Sequence, residues 1–200
     1  MRQARAGRRM TDGRLIHRMK NRGGDIVLMG PVTPEMAQTL CKQLLEAAEE
    51  GDPLIVELTT NGGDADIGLR MVTEIERARL RLARRRLVFL GTGTVYSAGV
   101  TAMSAFPPAD RFLTDGGTLL VHGRQLSKTV ELSGPLRASR PQLKALLHEI
   151  EVGCALEDDG FRRLIEGSNI DFAEVCEKAL YNWYIPAAEA LERGLIAGIV

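Results

Sequence analysis

Apolar positions fall into short blocks separated by glycine, proline and polar runs, and the spacing inside each block predicts its element. Ile26 to Met29 (IVLM) is an unbroken apolar run of strand length, stopped by Gly30. Thr33-Pro34-Glu35 reads as a helix start, with threonine as N-cap and proline in the first turn. Met36, Leu40, Leu44, Leu45 and Ala48 continue at helical spacing to Glu50, and Gly51-Asp52-Pro53 ends the run. Leu54 to Leu58 (LIVEL) predicts a strand and Thr59 to Asp64 (TTNGGD) a loop. About Asp66 to Arg84 predicts an amphipathic helix with a basic outer face. Leu87 to Leu90 (LVFL) is the next strand. A turn at Gly91–Thr94 follows, then a helix of small residues from Ser97 to Phe106, closed by Pro107-Pro108. Arg111 to Thr114 and Thr118 to Val121 predict two more short strands, joined through Gly116-Gly117.

Strands that are apolar throughout are buried on both faces, which predicts a parallel sheet and an α/β architecture. The pattern then changes. Gly123 to about Pro141 is polar, with Gly134-Pro135 inside it. Helical spacing returns from Pro141 to Gly167 and from Asp171 to Trp183. Pro186 to Leu195 reads as a short helix closed by Gly194, before a terminal Ile199-Val200. The stretch from Pro141 reads as an insertion, because the final helix and strand are needed to complete the first layer.

Composition narrows the class. With 200 residues, 44% hydrophobic and 26% charged, the chain can bury one full core, and a disordered or collagen-like chain is excluded. Aromatics are only 4%, so that core is expected to be aliphatic. No apolar run approaches the roughly 18 residues of a membrane span. The net charge of zero hides a split: residues 1–24 hold eight basic side chains and one acid, Asp12. A basic arm can bind nucleic acid, but this one has no aromatic to stack on bases, and the body carries no nucleic-acid motif. Residues 1–24 are therefore read as a flexible extension without a nucleic-acid role. A transit peptide is the weaker reading, since the segment lacks serine, and a secretory signal is excluded by the missing apolar core. Cys41, Cys154 and Cys176 are odd in number and contain no C-x-x-C pair. That argues against a disulfide framework and a zinc site, and predicts reduced thiols in the cytoplasm, with Cys41 and Cys176 as small buried hydrophobes.

Candidate chemistry sits where strands end, the usual place for sites in α/β sheets. Asn61-Gly62-Gly63 follows the LIVEL strand, and paired glycines let backbone N–H groups point into a cavity; a plain tight turn would look the same. Ser97 follows a strand and a glycine-rich turn and opens a helix, a placement like that of a nucleophile elbow, although an N-cap serine also sits there and G-x-S-x-G is absent. His122 follows the TLLV strand and is the one histidine at a strand end. His17 falls in the basic segment and His148 in an amphipathic helix, both read as solvated or packing residues.

Taken together these spots resemble the proteolytic subunit family of the Clp protease, serine peptidases. DIVLMGPV (Asp25–Val32), LTTNGG (Leu58–Gly63), GTVYSAG (Gly93–Gly99), LLVHG (Leu119–Gly123) and YIPAAEALERGLI (Tyr184–Ile196) carry the resemblance, in order and spacing, over about 175 residues. The resemblance implies an α/β fold of the ClpP/crotonase type, a repeated β-β-α superhelix with a helical handle insertion. It implies a peptidase domain over 25–200 with the handle at about 123–170. It implies Ser97 as nucleophile, His122 as general base and the N–H groups of Gly63 and Ala98 as oxyanion hole, with no metal or cofactor. The substrate would be a peptide or unfolded protein, and the subunit would form a ring, with two rings stacked through the handle.

Three departures from the family pattern stand out. Asn182 occupies the position of the third triad residue, usually aspartate, and a neutral amide cannot stabilise an imidazolium. In a chymotrypsin-type triad that exchange costs about 10⁴ in kcat. Glu174 and Glu177, on the preceding helix, are carboxylates that could substitute. Ile55 and Glu57 stand where the family has tyrosines that dock an AAA+ unfoldase, and Tyr181 replaces an arginine used between rings. These changes argue against unfoldase docking and against two-ring stacking. The competing reading is an inactive subunit of a mixed ring. A crotonase-type acyl-CoA enzyme is a minor alternative, disfavoured by the Ser–His pair, and a membrane-anchored signal-peptide peptidase relative lacks an anchor.

Overall fold

The computed structural model describes residues 12–200. The elements are α1 (Asp12–Arg22), β1 (Ile26–Met29), α2 (Pro34–Glu46), β2 (Leu54–Thr60), α3 (Ala65–Arg81), β3 (Leu87–Tyr96), α4 (Ala98–Ser104), β4 (Arg111–Leu113), β5 (Thr118–Val121), α5 (Leu136–Ile165), α6 (Phe172–Ala179), β6 (Trp183–Pro186), α7 (Ala187–Glu192) and β7 (Gly198–Ile199). It is a mixed α/β fold. The strands form one sheet in the order β1-β2-β3-β4-β7, and β5 pairs with the second half of β3 and with β6. Every pairing is parallel except β5–β6. The apolar strands β2 to β5 are largely buried as their composition requires, but β1, at the edge of the sheet, is not: Ile26 and Leu28 are buried whereas Val27 and Met29 are exposed. The helices α2 to α7 cover one sheet face around an aliphatic core.

The opposite face corrects the reading of the basic segment. Residues 1–11 lie outside the described residues, but Asp12–Arg22 is a helix, not a loose extension. Leu15 and Met19, four residues apart, pack with Ile55, Val88, Leu90 and Phe112 on the second face of the sheet. Arg18 adds a 2.7 Å bond to the Pro53 carbonyl and an ion pair with Asp25. High positive charge hid a one-sided apolar stripe.

Other boundaries moved for physical reasons. α2 begins as expected, with Thr33 Oγ1 accepting from the Met36 N–H at 3.4 Å and Pro34 in the first turn. β3 runs through Gly91–Thr94, read above as a turn. The first half of β3 pairs with β4 and Thr94–Tyr96 pairs with β5, so the glycines serve a strand that bends between two neighbours. α5 starts at Leu136, with Pro141 inside its early turns, rather than at Pro141. α6 ends at Ala179, and Trp183–Pro186 is a strand with alternate residues buried. The basic outer face of α3 is engaged with the body: Arg81 donates to the Leu44 and Ala47 carbonyls at the end of α2, and Arg85 to those of Ala48 and Asp52. Cys41 and Cys176 are half-buried and Cys154 is exposed; all three thiols are free. Among the described residues no helix is long and apolar enough to cross a membrane.

Candidate active site

The end of β3 places the candidate nucleophile. The Ser97 N–H donates to the Leu120 carbonyl at 2.9 Å, extending the β3–β5 ladder by one residue. The chain then turns at once into α4. Ser97 takes φ 54 and ψ −116, a left-handed conformation that a non-glycine residue holds only where its surroundings force it. No side-chain cap bond comes from Ser97, so the N-cap reading does not describe its hydroxyl. The strain belongs to a sharp strand-to-helix turn that presents a serine at its tip, without the G-x-S-x-G pattern.

The Asn61-Gly62-Gly63 loop lies against this turn. A Cβ on Gly62 would come 2.8 Å from the Ser97 Cβ, and one on Gly63 would meet the Val32 carbonyl oxygen at 2.4 Å. Only glycine allows the loop this close, at φ 98 and φ 152. Val32 bonds to both flanking residues, accepting from the Asp64 N–H at 3.0 Å and donating to Gly62 at 2.9 Å. The Gly63 and Ala98 N–H groups have no partner among the described residues and border the same cavity.

That cavity, of about 460 Å³, also holds His122. The imidazole is half-buried, and its Nδ1 lies 2.7 Å from the Gly123 carbonyl. The far wall is α5, through Phe161, Leu164 and Glu157. The Glu157 carboxylate accepts from the Arg124 N–H, and Arg124 reaches across to Asp66 on α3 at 2.5 Å. Four of the five expected site residues, Ser97, His122, Gly63 and Ala98, therefore share one cavity.

Asn182 does not line it. The β5–β6 register pairs Val121 with Trp183, so one step further Asn182 lies across from His122. Its side chain is exposed, its φ is 59, and it makes no hydrogen bond to the imidazole. Its N–H closes the end of α6 on the Ala179 carbonyl at 3.5 Å. Neither suggested substitute reaches the cavity. Glu174 pairs with Lys178 and Arg193 at 2.8 and 2.9 Å, and the bond from Lys178 is the main cause holding its carboxyl below the usual range. Glu177 is exposed. Glu157 was missed by sequence reasoning, because no spacing rule joins a mid-helix glutamate to a peptide 33 residues earlier.

At the docking positions, Ile55 is fully buried under α1. Glu57 accepts from the Gly24 N–H at 2.6 Å and from the Thr92 hydroxyl at 3.0 Å. Tyr181 is exposed.

A family model described as Clp protease matches residues 13–200, starting inside α1. Among curated proteins the chain is 26% identical to "ATP-dependent Clp protease proteolytic subunit 2" of Treponema pallidum, covering 88% of this chain and 81% of that one. It is 25% identical to "ATP-dependent Clp protease proteolytic subunit 1" of Chlamydia trachomatis, covering 96% and 97%. Among solved structures it is similar to a point mutant of ClpP1 from Listeria monocytogenes, with a TM-score of 0.69 at 19% identity over 88% of this chain and 90% of that one. That likeness carries the fold.

Proposed function

The chain belongs to the Clp protease family, and on that premise we propose that it is a serine peptidase subunit acting through an acyl-enzyme on Ser97. His122 takes the serine proton as the hydroxyl attacks a peptide carbonyl, and returns it to the leaving amine. The Gly63 and Ala98 N–H groups receive the developing oxyanion, each worth about 3 kcal/mol in the transition state. Water, activated by His122, then releases the acid. Asn182, across from His122, is the third member by position only. The reaction balances with water alone and takes no metal or cofactor. Phe161 and Leu164 give the cavity an apolar wall suited to an apolar side chain of an extended peptide.

The observation that carries this reading is a strained serine beside two unpartnered N–H groups, in the cavity that holds His122. The assembly we propose is a homo-oligomeric ring in a reducing, cytoplasmic setting, supported by free thiols and by exposed leucines along α5. Buried Ile55 and engaged Glu57 offer no aromatic docking surface, so an AAA+ unfoldase is left out of the reading.

One observation favours a second reading, an inactive subunit of a mixed ring: exposed Asn182 offers the imidazole neither charge nor hydrogen bond. Intact-mass spectrometry after a fluorophosphonate probe separates the two, on protein shown by light scattering to be assembled. We expect one adduct on the parent and none on Ser97→Ala. An assembled parent without adduct overturns the peptidase reading and leaves the inactive subunit.

A further inference from the structure

The polar partner of His122 is a peptide group, and the partner of that peptide group is a carboxylate. His122 Nδ1 lies 2.7 Å from the Gly123 carbonyl oxygen. A carbonyl only accepts, so Nδ1 donates and the neutral ring keeps its lone pair on Nε2. That is the tautomer a base beside a serine requires. The other side of the same peptide unit, the Arg124 N–H, donates to Glu157 Oε2. A trans peptide directs its C=O and N–H oppositely, so imidazole and carboxylate sit at its two ends. A charged acceptor on the N–H strengthens that bond and polarises the amide, which makes its oxygen a better acceptor. The carboxylate lies close against this peptide, since a Cβ on Gly123 would come 3.1 Å from Glu157 Oε2.

The neighbouring charges leave Glu157 to this role. Arg124 turns its guanidinium to Asp66 at 2.5 Å, and Asp64 caps α3 by accepting from the Asp66 and Ile67 N–H groups. From α6, Cys176 lies in the field of Asp158, Glu157 and Arg162; its thiol is pushed up mainly by burial. The Arg124 N–H is the hydrogen-bond partner of Glu157 among the described residues.

We propose that Glu157 is the positioning carboxylate of the base: through the Gly123–Arg124 peptide it holds His122 as the Nδ1–H tautomer and stabilises the imidazolium, in place of the aspartate replaced by Asn182. The proposal rests on the Ser97–His122 reading. It also ties the base to the handle, because Glu157 belongs to α5.

The test uses the full chain, assembled, as parent, Glu157→Gln, Glu157→Ala, Asn182→Asp and Ser97→Ala. The amide introduced by Glu157→Gln would still accept from the peptide but carry no charge, so a purely structural tie predicts no kinetic change. We expect Glu157→Gln to lower kcat on a short fluorogenic peptide about 10- to 100-fold, with KM within twofold. The acid limb of its kcat/KM profile should move to lower pH by about half a unit, because loss of a nearby negative charge disfavours the imidazolium. Asn182→Asp should raise kcat less than about tenfold, far short of the 10⁴ of an uncompensated triad. ¹⁵N spectra of the ring should show Nδ1 protonated in the parent and a mixture of tautomers in Glu157→Ala. An unmoved acid limb in Glu157→Gln, or a parent ring protonated on Nε2, overturns the proposal. A parent without a fluorophosphonate adduct removes the peptidase reading alone, and the ring tautomers of the parent and Glu157→Ala then decide the part of Glu157.

Discussion

The strand-built body and the helix α5 face the same cavity from opposite sides, but they are fixed by different means. On the body side, Leu87 to Gly91 of β3 are all buried, and α4 beyond Ser97 is buried except at Thr101. Ser97 and Ala98 inherit their positions from that packing, and Gly63 is held by the backbone bonds of Val32 to Gly62 and Asp64. On the other side, α5 spans 30 residues and buries only Phe161 and Leu164, near its C-terminal end. Leu136, Leu143, Leu147, Ile150 and Val152 are exposed. The N–H groups of Gly63 and Ala98 are thus set by the strand-built body, whereas the surroundings of His122 depend on a few polar contacts to a helix that stands largely free. Half of the site is rigid by packing, and half is as rigid as the root of α5.

The root has a buried pin, and removing it is the largest effect we expect. Arg111, on β4, is only 1% exposed. Its guanidinium donates to the carbonyls of Phe106 at 2.7 Å, Leu164 at 2.8 Å, Ser104 at 3.2 Å, Leu195 at 3.4 Å and Arg163 at 3.5 Å. Two of these acceptors lie in the last turn of α5, so the buried cation also meets the negative end of the helix dipole. Burial pushes the guanidinium down to about 10, which still leaves it charged near neutrality. Arg111→Met keeps most of the volume but deprives five carbonyls, in four buried bonds and one part-buried, of this donor. The expected cost is about 3–5 kcal/mol in urea unfolding. Fluorophosphonate labelling of Ser97 should fall with it, because the cavity wall loses Phe161 and Leu164. A loss under about 1 kcal/mol would mean that α5 is held by something other than this pin.

The next effect tests the body's other face. Leu15 is fully buried beneath the sheet, so Leu15→Ala should cost about 2–4 kcal/mol by the same measurement. Near-neutral behaviour would return α1 to the status of a loose appendage.

That appendage reading shows where sequence reasoning stops. Strong local demands were legible: Thr33 before Pro34, the glycine pair after the LIVEL strand, and a serine opening a helix each require a particular backbone within a few residues. So were the continuous apolar strands that set the sheet. The Leu15–Met19 stripe was masked by the arginines around it, although its four-residue spacing is visible. Gly91–Thr94 looked like a turn because small polar residues mark turns, yet here they serve a strand that exchanges one partner for another. Trp183–Pro186 alternates buried and exposed positions, a signal obscured by the helical run before it. Glu157 had no local signal at all. Its role comes from α5 folding back over the end of β5, and tertiary contacts of that kind leave no spacing to read.

The smallest expected effect on folding is also the sharpest test of the comparison. Leu147 projects from α5 and is 56% exposed, whereas Leu164 on the same helix is 3% exposed. Gln has nearly the helix propensity of Leu. In an isolated subunit Leu147→Gln should therefore change stability by less than about 0.5 kcal/mol. The row of exposed leucines, however, makes an apolar face of the kind that association covers. If the ring reading is right and this face is one of its contacts, the parent's Tm will rise with protein concentration by mass action, and that of Leu147→Gln will rise less. Light scattering should show the variant dissociating at concentrations where the parent remains assembled. A dilution-independent loss above about 1 kcal/mol would instead mean that Leu147 is covered within its own subunit. The contrast between a packed body and a free-standing helix would then fail at the position where it is most exposed.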